Sequence, residues 1–584
     1  MAVVSRSAIA RILRETAALL ELKGENPFRA RAYSNGARAI EGLTEDPTAR
    51  YEAGTLAEIQ GIGPGLVASV AEILLTGKLS LHDELNRHFP AGTRALLKIP
   101  GLGVKRLRTL IAELGIDSPA ALERACRDGR VAALSGFGAK SQEKILEGLA
   151  AVSRFAGRHL LPVGVELAEI ALQRLRQDPA VRRAEATGEV RRRLETIAGI
   201  ALLVAVPADE RAAVVERFVG DGSFVDLSAT TADGLDGTLE GDVGFELRFV
   251  DSPAFAARWL TSTGSAGHLA ELEAAAQEQG PVLDDGGVRR AVGAVPGSEA
   301  AVYAGLGLPW IEPELREGLG EVAALRGAAS PELVSLDDLR GTFHVHSTWS
   351  DGIASIAEMA GAAAAHGWEY LGIADHSRAA AYAGGLDADR VRRQWQEIDA
   401  WNAAGNSPRL FKGTECDILT DGALDFDDEL LSGFDFVVVS IHSQFQLSRE
   451  AMTARLVRAV SHPSVTFLGH ATGRLLLVRD PYEVDLDAVL EAAAANGVIV
   501  ELNANPHRLD LDWRVLRRQL ASGRTTSIHP DAHSPQGLAD VRWGIDMARK
   551  AGASKSQILN TRTVAEIAGY FEQRRRRAAA LRGG

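Results

Sequence analysis

The stretch GTFHVHSTWSDG at 341–352 decides the fold of the carboxyl-terminal part of this chain. A short apolar strand carries His344 and His346, and the turn that follows offers Asp351. Because side chains alternate along a strand, both imidazoles are expected on the same strand face. Two metal-capable side chains at one strand end indicate a metal site that other strand ends would complete.

Further apolar, β-rich runs also close on ligand-type residues. The runs near 370–376, 409–419, 434–442, 465–471 and 525–533 carry His376, Glu415, His442, His470 and the pair Asp531 and His533. Together with 341–347 and 498–505 they make seven runs, separated by Ala-rich helical stretches, a pattern typical of parallel strands wrapped by helices. Because parallel barrels place their chemistry at the carboxyl ends of their strands, the sequence predicts a barrel with all these ligands at one mouth.

The ligand types indicate which metals the mouth would hold. The predicted metal ligands are His344, His346, Asp351, His376, Glu415, His442, His470, Asp531 and His533. Imidazole and carboxylate without thiolate favour zinc, manganese or iron. Cys126 and Cys416 are the only cysteines, too few for a four-cysteine zinc site, and Cys416 is expected to pack on the strand face opposite Glu415.

The HxH, SDG, ADHS, GTE, SIHS, GH and DAH elements resemble the PHP (polymerase and histidinol phosphatase) phosphoesterase domain. The resemblance implies three divalent metals, with Glu415 as a bridging ligand and with Glu415, Asp531, His344 and His346 as catalytic residues. It implies one metal on His344, His346, Glu415 and Asp531, a second on Glu415, His442 and His470, and a third on Asp351, His376 and His533. Metals about 3.5–4 Å apart can stabilise the charge that builds up when a phosphodiester is hydrolysed. Arg474 is expected either to bind phosphate or to be an exposed loop arginine.

The amino-terminal part contains an internal repeat. The segments LAEIQGIGPGLVASVAEIL, LLKIPGLGVKRLRTLIAEL and VAALSGFGAKSQEKILEGL each place a Gly-hydrophobic-Gly turn between two short amphipathic helices. They resemble helix-hairpin-helix motifs, which bind the sugar-phosphate backbone without reading sequence. The predicted DNA-binding residues are Gly61, Gly63, Gly101, Gly103, Lys105, Arg106, Gly136, Gly138 and Lys140. A single such turn could simply join packed helices, but three copies favour nucleic acid.

The charge distribution is compatible with a DNA partner. The net charge is −13, but residues 1–160 hold 22 Lys and Arg against 17 Asp and Glu, which makes +5 and leaves −18 for the rest. A basic front end on an acidic body permits local phosphate binding. No apolar run approaches the roughly 20 residues that span a bilayer, so a cytoplasmic protein without a membrane partner is expected. A monomer is also expected.

The middle of the chain resembles the palm and thumb of family X DNA polymerases, most clearly in AVYAGLGLPWIEPELREG at 301–318. A family palm holds magnesium with carboxylates on neighbouring strands. In ATGEVRRRLETIAGIALLVAV at 186–206, however, Gly199 and Ala201 occupy the places of two aspartates, and Glu189 replaces the serine expected at the triphosphate. Glu246 keeps the third carboxylate position, and Ser69 stands near the place of the family's lyase lysine.

These observations predict a multidomain α/β protein. An N-terminal all-α helix-hairpin-helix region is expected over 1–158, an α+β nucleotidyltransferase-like palm and thumb over 159–335, and a distorted (βα)7 PHP barrel over 336–584. The predicted function is a DNA-binding, metal-dependent phosphodiesterase of DNA repair, a 3′–5′ exonuclease with abasic-site incision as a related activity and little or no polymerase activity. Three alternatives remain open: an active polymerase with a proofreading PHP domain, a small-molecule phosphatase similar to histidinol phosphatase, and a noncatalytic DNA-binding scaffold.

Overall fold

A computed structural model describes residues 4, 6–41, 43, 47–59, 61–99, 101–220, 224–231, 233–239, 241–279, 283–284, 287–288 and 297–583. The chain divides into two compact units, Met1–Trp310 with Glu317–Gly327 (unit one) and Ile311–Arg316 with Ala328–Gly584 (unit two). The three-domain division with boundaries at 158 and 335 stays a prediction. Among the described residues no single helix is long and apolar enough to cross a membrane; Pro64–Thr76 and Ser80–His88 reach that length and apolarity only as a pair bent by 89°.

The front of unit one is helical. Its helices are α1 (Arg6–Lys23), α2 (Pro27–Glu41), α3 (Pro47–Glu52), α4 (Pro64–Thr76), α5 (Ser80–His88), α6 (Ala91–Leu96), α7 (Val104–Leu114), α8 (Pro119–Arg127) and α9 (Ala139–Arg154). Along α1 the fully buried Ile9, Leu13 and Leu20 recur at helical spacing, so they share one face and form a core with residues of α2 and α4. The predicted all-α front end is confirmed.

A mixed five-stranded sheet forms the middle of unit one. The elements are β1 (His159–Leu160), α10 (Leu161–Gln177), β2 (Arg183–Ala186), α11 (Gly188–Arg191), β3 (Thr196–Ile197), β4 (Gly199–Ala205), α12 (Arg211–Val219), β5 (Phe224–Thr231), β6 (Gly234–Leu239) and β7 (Val243–Val250). The strand order is β2-β4-β7-β6-β5, and the central pair β4 and β7 is parallel. The apolar run GIALLVA makes β4 a buried central strand, because a strand covered on both faces needs apolar side chains on both.

The rest of unit one is mostly helical. Its elements are α13 (Phe255–Thr263), α14 (Ala266–Gln279), β8 (Leu283–Asp284), β9 (Gly287–Val288), α15 (Glu299–Gly305) and α16 (Glu321–Leu325). Arg191 of α11 makes a bidentate, largely buried ion pair with Glu299 of α15, with N–O distances of 2.7 and 2.6 Å. This pair joins the sheet region to the helices that follow it.

Unit two is a parallel barrel with seven strands in chain order. Its elements are β10 (Gly341–Val345), α17 (Ile356–Ala365), β11 (Tyr370–Ile373), α18 (Ala388–Ala403), β12 (Arg409–Asp417), α19 (Asp428–Ser432), β13 (Phe436–Ser440), α20 (Arg449–Val460), β14 (Phe467–Leu468), α21 (Leu486–Ala495), β15 (Ile499–Asn503), α22 (Trp513–Ala521), β16 (Ser527–His529), α23 (Val541–Lys550) and α24 (Val564–Gly583). Val345 bridges to Ala532 just after β16, so the barrel is nearly closed. The seven predicted strands and the fold class are confirmed.

Aromatic rings fill the barrel below its mouth. Phe343 of β10 lies 5.2 Å from Phe436, 5.5 Å from Phe467 and 5.3 Å from Phe571, measured between ring centroids. The strand β12 makes room for this layer with Gly413, where an added Cβ would stand 2.1 Å from the Phe436 ring. This aromatic layer forms a packed, apolar floor inside the barrel. Polar side chains at the strand ends are therefore directed towards the mouth and not into the floor.

Candidate metal centre

All nine predicted ligands converge at the mouth of the barrel. Each of them places a nitrogen or oxygen within 3.3 Å of another member of the set. The side chains of Asp351 and His533 are 32% and 38% exposed, whereas the other seven are at most 10% exposed. Asp351 and His533 therefore form the rim of the site and the other ligands its interior.

Glu415 lies at the centre of the cluster. Its carboxylate oxygens are 2.9 Å from His470, 3.0 Å from His376 and 3.2 Å from His442. Burial raises the pKa of Glu415, but the imidazoles of His344, His442 and His376 outweigh it and hold that pKa well below its usual range. An ionised, buried carboxylate shared by several imidazoles can serve as a bridging metal ligand.

The nine residues form overlapping groups with one another and with two others, Glu501 and His529. Within the described part of the chain, five groups have ligand atoms within 4.8 Å of one another: His346, Asp351, His376 and His533; His344, Glu501 and His529; His344, Glu415 and His470; His344, His346 and Asp531; and His376, Glu415 and His442. The groups differ in detail from the three expected sets. His346 also lies in the group that contains Asp351, and His376 also lies in a group with Glu415 and His442.

Unused ring nitrogens show that the cluster fits metal cations. In the described residues, Nε2 of His344, both ring nitrogens of His346, Nδ1 of His376 and Nδ1 of His470 are buried and make no hydrogen bond. Burial, followed by the neighbouring imidazoles of His533 and His376, lowers the pKa of His346 to about 3, which keeps its ring neutral. Buried polar atoms without partners are costly, so a cation that accepts their lone pairs is the simplest explanation for them.

Three of the predicted ligands have strained backbones. His344, His470 and Asp531 have φ of 58°, 21° and 53°, in or near the left-handed region that few non-glycine residues adopt. At His344 the strain coincides with a register shift between Thr342 and Val345 in the pairing of β10 with β11. Such strain persists where the surroundings enforce it and is concentrated at functional sites.

Sequence reasoning missed two buried residues that position the ligands. Glu501 of β15 accepts hydrogen bonds from Nδ1 of His344 at 2.8 Å and from Nδ1 of His529 at 2.7 Å. With Nδ1 occupied, His344 turns Nε2 towards Glu415. In the same way Asp417 engages Nδ1 of His442 at 3.0 Å. A glutamate closing the apolar run IVELN at 499–503 was the available signal for Glu501.

Two arginines near the mouth have different roles. The expectation for Arg474 is wrong on both counts, because it is only 7% exposed and its guanidinium donates to the Arg508 carbonyl at 2.9 Å and to Asp512 at 2.8 Å. Arg474 thus stabilises the loop after β15. Arg508 instead reaches the mouth, with Nε 3.3 Å from Asp531 and a side chain that is 20% exposed.

Each of the three glycine turns in the front end leads into a helix whose N-terminus is accessible. Gly61, Gly101 and Gly136 have φ of 97°, 76° and 82°, a conformation that glycine adopts without strain. The second glycine of each turn caps α4, α7 or α9, and a Cβ there would meet nothing. The side chains of Lys105, Arg106 and Lys140 are exposed beside these turns. The geometry leaves backbone N–H groups open to an anion.

The palm cleft, about 500 Å³ between β4, β6 and β7, has no comparable cluster of free ligand atoms among its described residues. Glu189 is paired with Arg158 at 2.9 Å and accepts the backbone N–H of Ala198 at 2.7 Å. Arg248 lies between Asp236 at 2.6 Å and Glu246 at 3.3 Å. The charge of Glu189, which replaces the serine expected at the triphosphate, is therefore neutralised within the protein.

The comparisons with known proteins agree with this layout. Residues 5–79 match a helix-hairpin-helix domain, 93–151 a SAM-like helix-hairpin-helix tandem, 258–317 a DNA polymerase beta thumb and 342–505 a PHP domain. A protein of Bacillus subtilis (strain 168) named DNA polymerase/3′-5′ exonuclease PolX is 35% identical over 571 residues, which covers 97% of this chain and 99% of that protein.

Proteins named as probable phosphatases match a smaller share of the chain. A probable phosphatase of Syntrophotalea carbinolica is 27% identical over 161 residues, 26% of this chain and 65% of that protein. Another, from Caldanaerobacter subterraneus subsp. tengcongensis, is 24% identical over 178 residues, 29% of this chain and 67% of that protein. The whole-length match and the order of the domains decide the family. The chain belongs to the family X DNA polymerases that carry helix-hairpin-helix, polymerase beta thumb and carboxyl-terminal PHP domains.

Proposed function

We propose that the chain hydrolyses DNA from 3′ ends through the barrel mouth and has little or no templated polymerase activity. The observation that carries the proposal is the cluster of buried, unpartnered imidazole nitrogens around Glu415. The relative from Bacillus subtilis is named for both a polymerase and a 3′-5′ exonuclease. In this chain the mouth supports the second activity, and the palm gives little support to the first.

Divalent transition metals would supply the central chemistry at the mouth, by withdrawing charge from phosphoryl oxygens and lowering the pKa of water. His344, His346 and Asp531 would hold one cation, His376, Glu415 and His442 another, and the rim group with Asp351 and His533 a third. Glu501 and Asp417 hold the imidazoles of His344 and His442 in the tautomer that leaves Nε2 free. The aromatic floor keeps water out of the site from below.

Arg508 is placed to orient the phosphate. Its guanidinium lies beside Asp531 at the mouth and is partly open to solvent. A planar guanidinium can bind two phosphate oxygens at once, which would fix the phosphorus relative to the ligand cluster. Arg508 therefore takes the role that the sequence suggested for Arg474.

The palm supports the second half of the proposal. Ala201 lacks a carboxylate, and at Gly199 a Cβ would stand 2.3 Å from the Gly244 carbonyl oxygen, so the backbone of β7 occupies the place of a side chain. Arg248 lies against Asp236 and Glu246, where a polymerase would need a metal cation. Each feature opposes magnesium binding.

A primer assay tests both halves of the proposal. The full-length protein is incubated with manganese and a 5′-labelled primer on a template, with and without deoxynucleotides. We expect stepwise shortening in both conditions and no extension. A His344→Ala, His346→Ala double variant should lose the shortening, because it removes two ligands of one cation, while His366→Ala, an exposed histidine at the end of α17, should keep it.

Other outcomes would contradict the proposal in distinct ways. Extension of the primer would overturn the account of the palm. Shortening that survives in the double variant would remove the mouth as the hydrolytic site. Phosphate release from a small monoester without any shortening of DNA would favour the phosphatase alternative, and single cuts at an internal abasic site without end trimming would favour the incision activity.

A further inference from the structure

An exposed aromatic side chain stands at the rim of the mouth. Tyr382 belongs to the short 3-10 turn Ala381–Ala383, in the loop between β11 and α18, and it is 73% exposed. Its ring centroid lies 6.3 Å from that of His376 and 6.3 Å from that of His442. A ring that is mostly in water adds little to the core, so its position above two ligand imidazoles calls for another explanation.

The loop that carries Tyr382 is held in place. The backbone N–H of Leu386 donates to the His376 carbonyl at 2.8 Å, and that of Ala379 donates to Asp425 at 2.7 Å. Arg390 of α18 donates to the Gly384 carbonyl at 2.7 Å. The ring is therefore presented on an anchored turn beside the ligands, as a binding platform requires.

We propose that Tyr382 stacks on the base of the 3′-terminal nucleotide. The inference rests on the proposed function and adds a residue that binds its substrate. Base and phosphate of one nucleotide are separated by a single sugar, so a phosphate held over Glu415 places the adjoining base near the rim. Every base has an aromatic face, and stacking on it needs no sequence but does need a base that is not paired.

Arg508 completes the platform from the phosphate side. It contacts Asp531 at the mouth, whereas Tyr382 adjoins His376 and His442. A terminal nucleotide bound between them would meet a cation at its phosphate and a ring at its base. Proteins that bind single strands combine basic side chains at the phosphates with aromatic side chains at the bases in this way.

The test is a double-mutant cycle between the ring and the base. One 5′-labelled single-stranded oligonucleotide ends in thymidine, and a second ends in a base-less tetrahydrofuran nucleotide. Tyr382→Ala should lower kcat/KM for the thymidine end by about 5- to 150-fold and change that for the base-less end by less than about twofold. Tyr382→Phe should retain the wild-type values, because stacking uses the ring and not the hydroxyl group.

Ile353 provides the matched control. It is 76% exposed at the same mouth, and its backbone N–H donates to the His533 carbonyl at 2.8 Å, but it has no aromatic face. Ile353→Ala should affect both substrates alike, which separates stacking from general apolar contact.

The outcomes separate this inference from the proposal beneath it. Equal losses on both substrates, or no loss on either, would show that Tyr382 does not stack on the base, while the nuclease activity itself would stand. A wild-type protein that releases nucleotides from neither oligonucleotide would overturn the proposed function and the inference with it.

Discussion

The barrel mouth and the palm cleft both gather polar side chains, but the charges of these side chains are paired in opposite ways. At the mouth, carboxylates face imidazoles whose buried nitrogens keep lone pairs without hydrogen bonds. In the palm, Glu189 faces Arg158, and Asp236 and Glu246 face Arg248. A metal site needs ligand atoms that protein cations have not already claimed. We therefore expect hydrolysis at the barrel mouth and no polymerase chemistry in the palm cleft.

The largest effect is expected for Glu415→Gln, which tests whether the mouth depends on its central carboxylate. The amide keeps the shape but loses the charge that several imidazoles and any bridging cation share. We expect DNA hydrolysis to fall by about 10³-fold or more, together with the amount of bound metal. Steady-state rates and elemental analysis measure the two effects.

Glu429→Gln is the matched control for this change, because Glu429 is exposed on α19 of the same unit. Full activity of the Glu415→Gln variant with unchanged metal content would show that neither hydrolysis nor metal binding at the mouth needs the carboxylate.

The second prediction tries to rebuild the palm. A variant with Gly199→Asp, Ala201→Asp and Glu189→Ser carries the family residues, but we expect no primer extension. The Cβ at Gly199 has no room beside the Gly244 carbonyl, so Gly199→Asp should also lower the free energy of unfolding by about 1–3 kcal/mol. Chemical denaturation measures this loss in the free energy of unfolding.

Ala201→Asp alone serves as its control, because Ala201 already has a Cβ in place. A stable triple variant that extends primers would show that the palm has lost only side chains and not the space for them.

A smaller effect is expected for Glu501→Gln, which tests whether the carboxylate that orients His344 contributes to metal binding. The change removes the charge that orients His344 without removing a direct ligand of the Glu415 cluster. We expect metal affinity to fall by about 10- to 100-fold, with activity recovered at high metal concentration. Titration with manganese measures both, and a loss that metal cannot restore would assign Glu501 a direct part in the reaction.

The smallest effect is expected for Glu321, which pairs with His268 in unit one and stabilises the fold there. Burial raises the pKa of Glu321, but hydrogen bonds from His268 and from the N–H groups of Gly318 and Leu319 outweigh it and lower the pKa to about 2. Because the folded pKa lies below the unfolded one, this stabilisation is present above about pH 4.5 and is lost as the pH falls towards 2.

Glu321→Gln should therefore be less stable than the wild type at pH 7, by about 1–3 kcal/mol for the charged hydrogen bonds, and the difference should narrow in acid. Thermal unfolding at several pH values measures it. A difference that stays constant from pH 7 to pH 3 would show that the charge of Glu321 does not contribute.

Much of the site could be predicted because its residues end apolar runs of the sequence. His376, Glu415 and His470 each follow such a run, and parallel strands bring their carboxyl ends to one mouth. Glu501 also closes an apolar run, but its role and that of His529 could not be assigned from the run alone, since that role depends on which ring nitrogen of His344 is occupied. The burial of Arg474 also depends on the course of a loop whose sequence has no simple periodicity.

The sequence by itself determined the seven strands and the three glycine turns, and it predicted the nine metal ligands and the loss of two palm aspartates, because each is a local pattern of residue type and spacing. Only the tertiary structure decided which predicted ligands share a group, that the backbone of β7 lies against Gly199, and that Tyr382 stands over the mouth. These facts depend on distances between segments that are far apart in the chain. Such distances are set by packing, and no short stretch of residues encodes them.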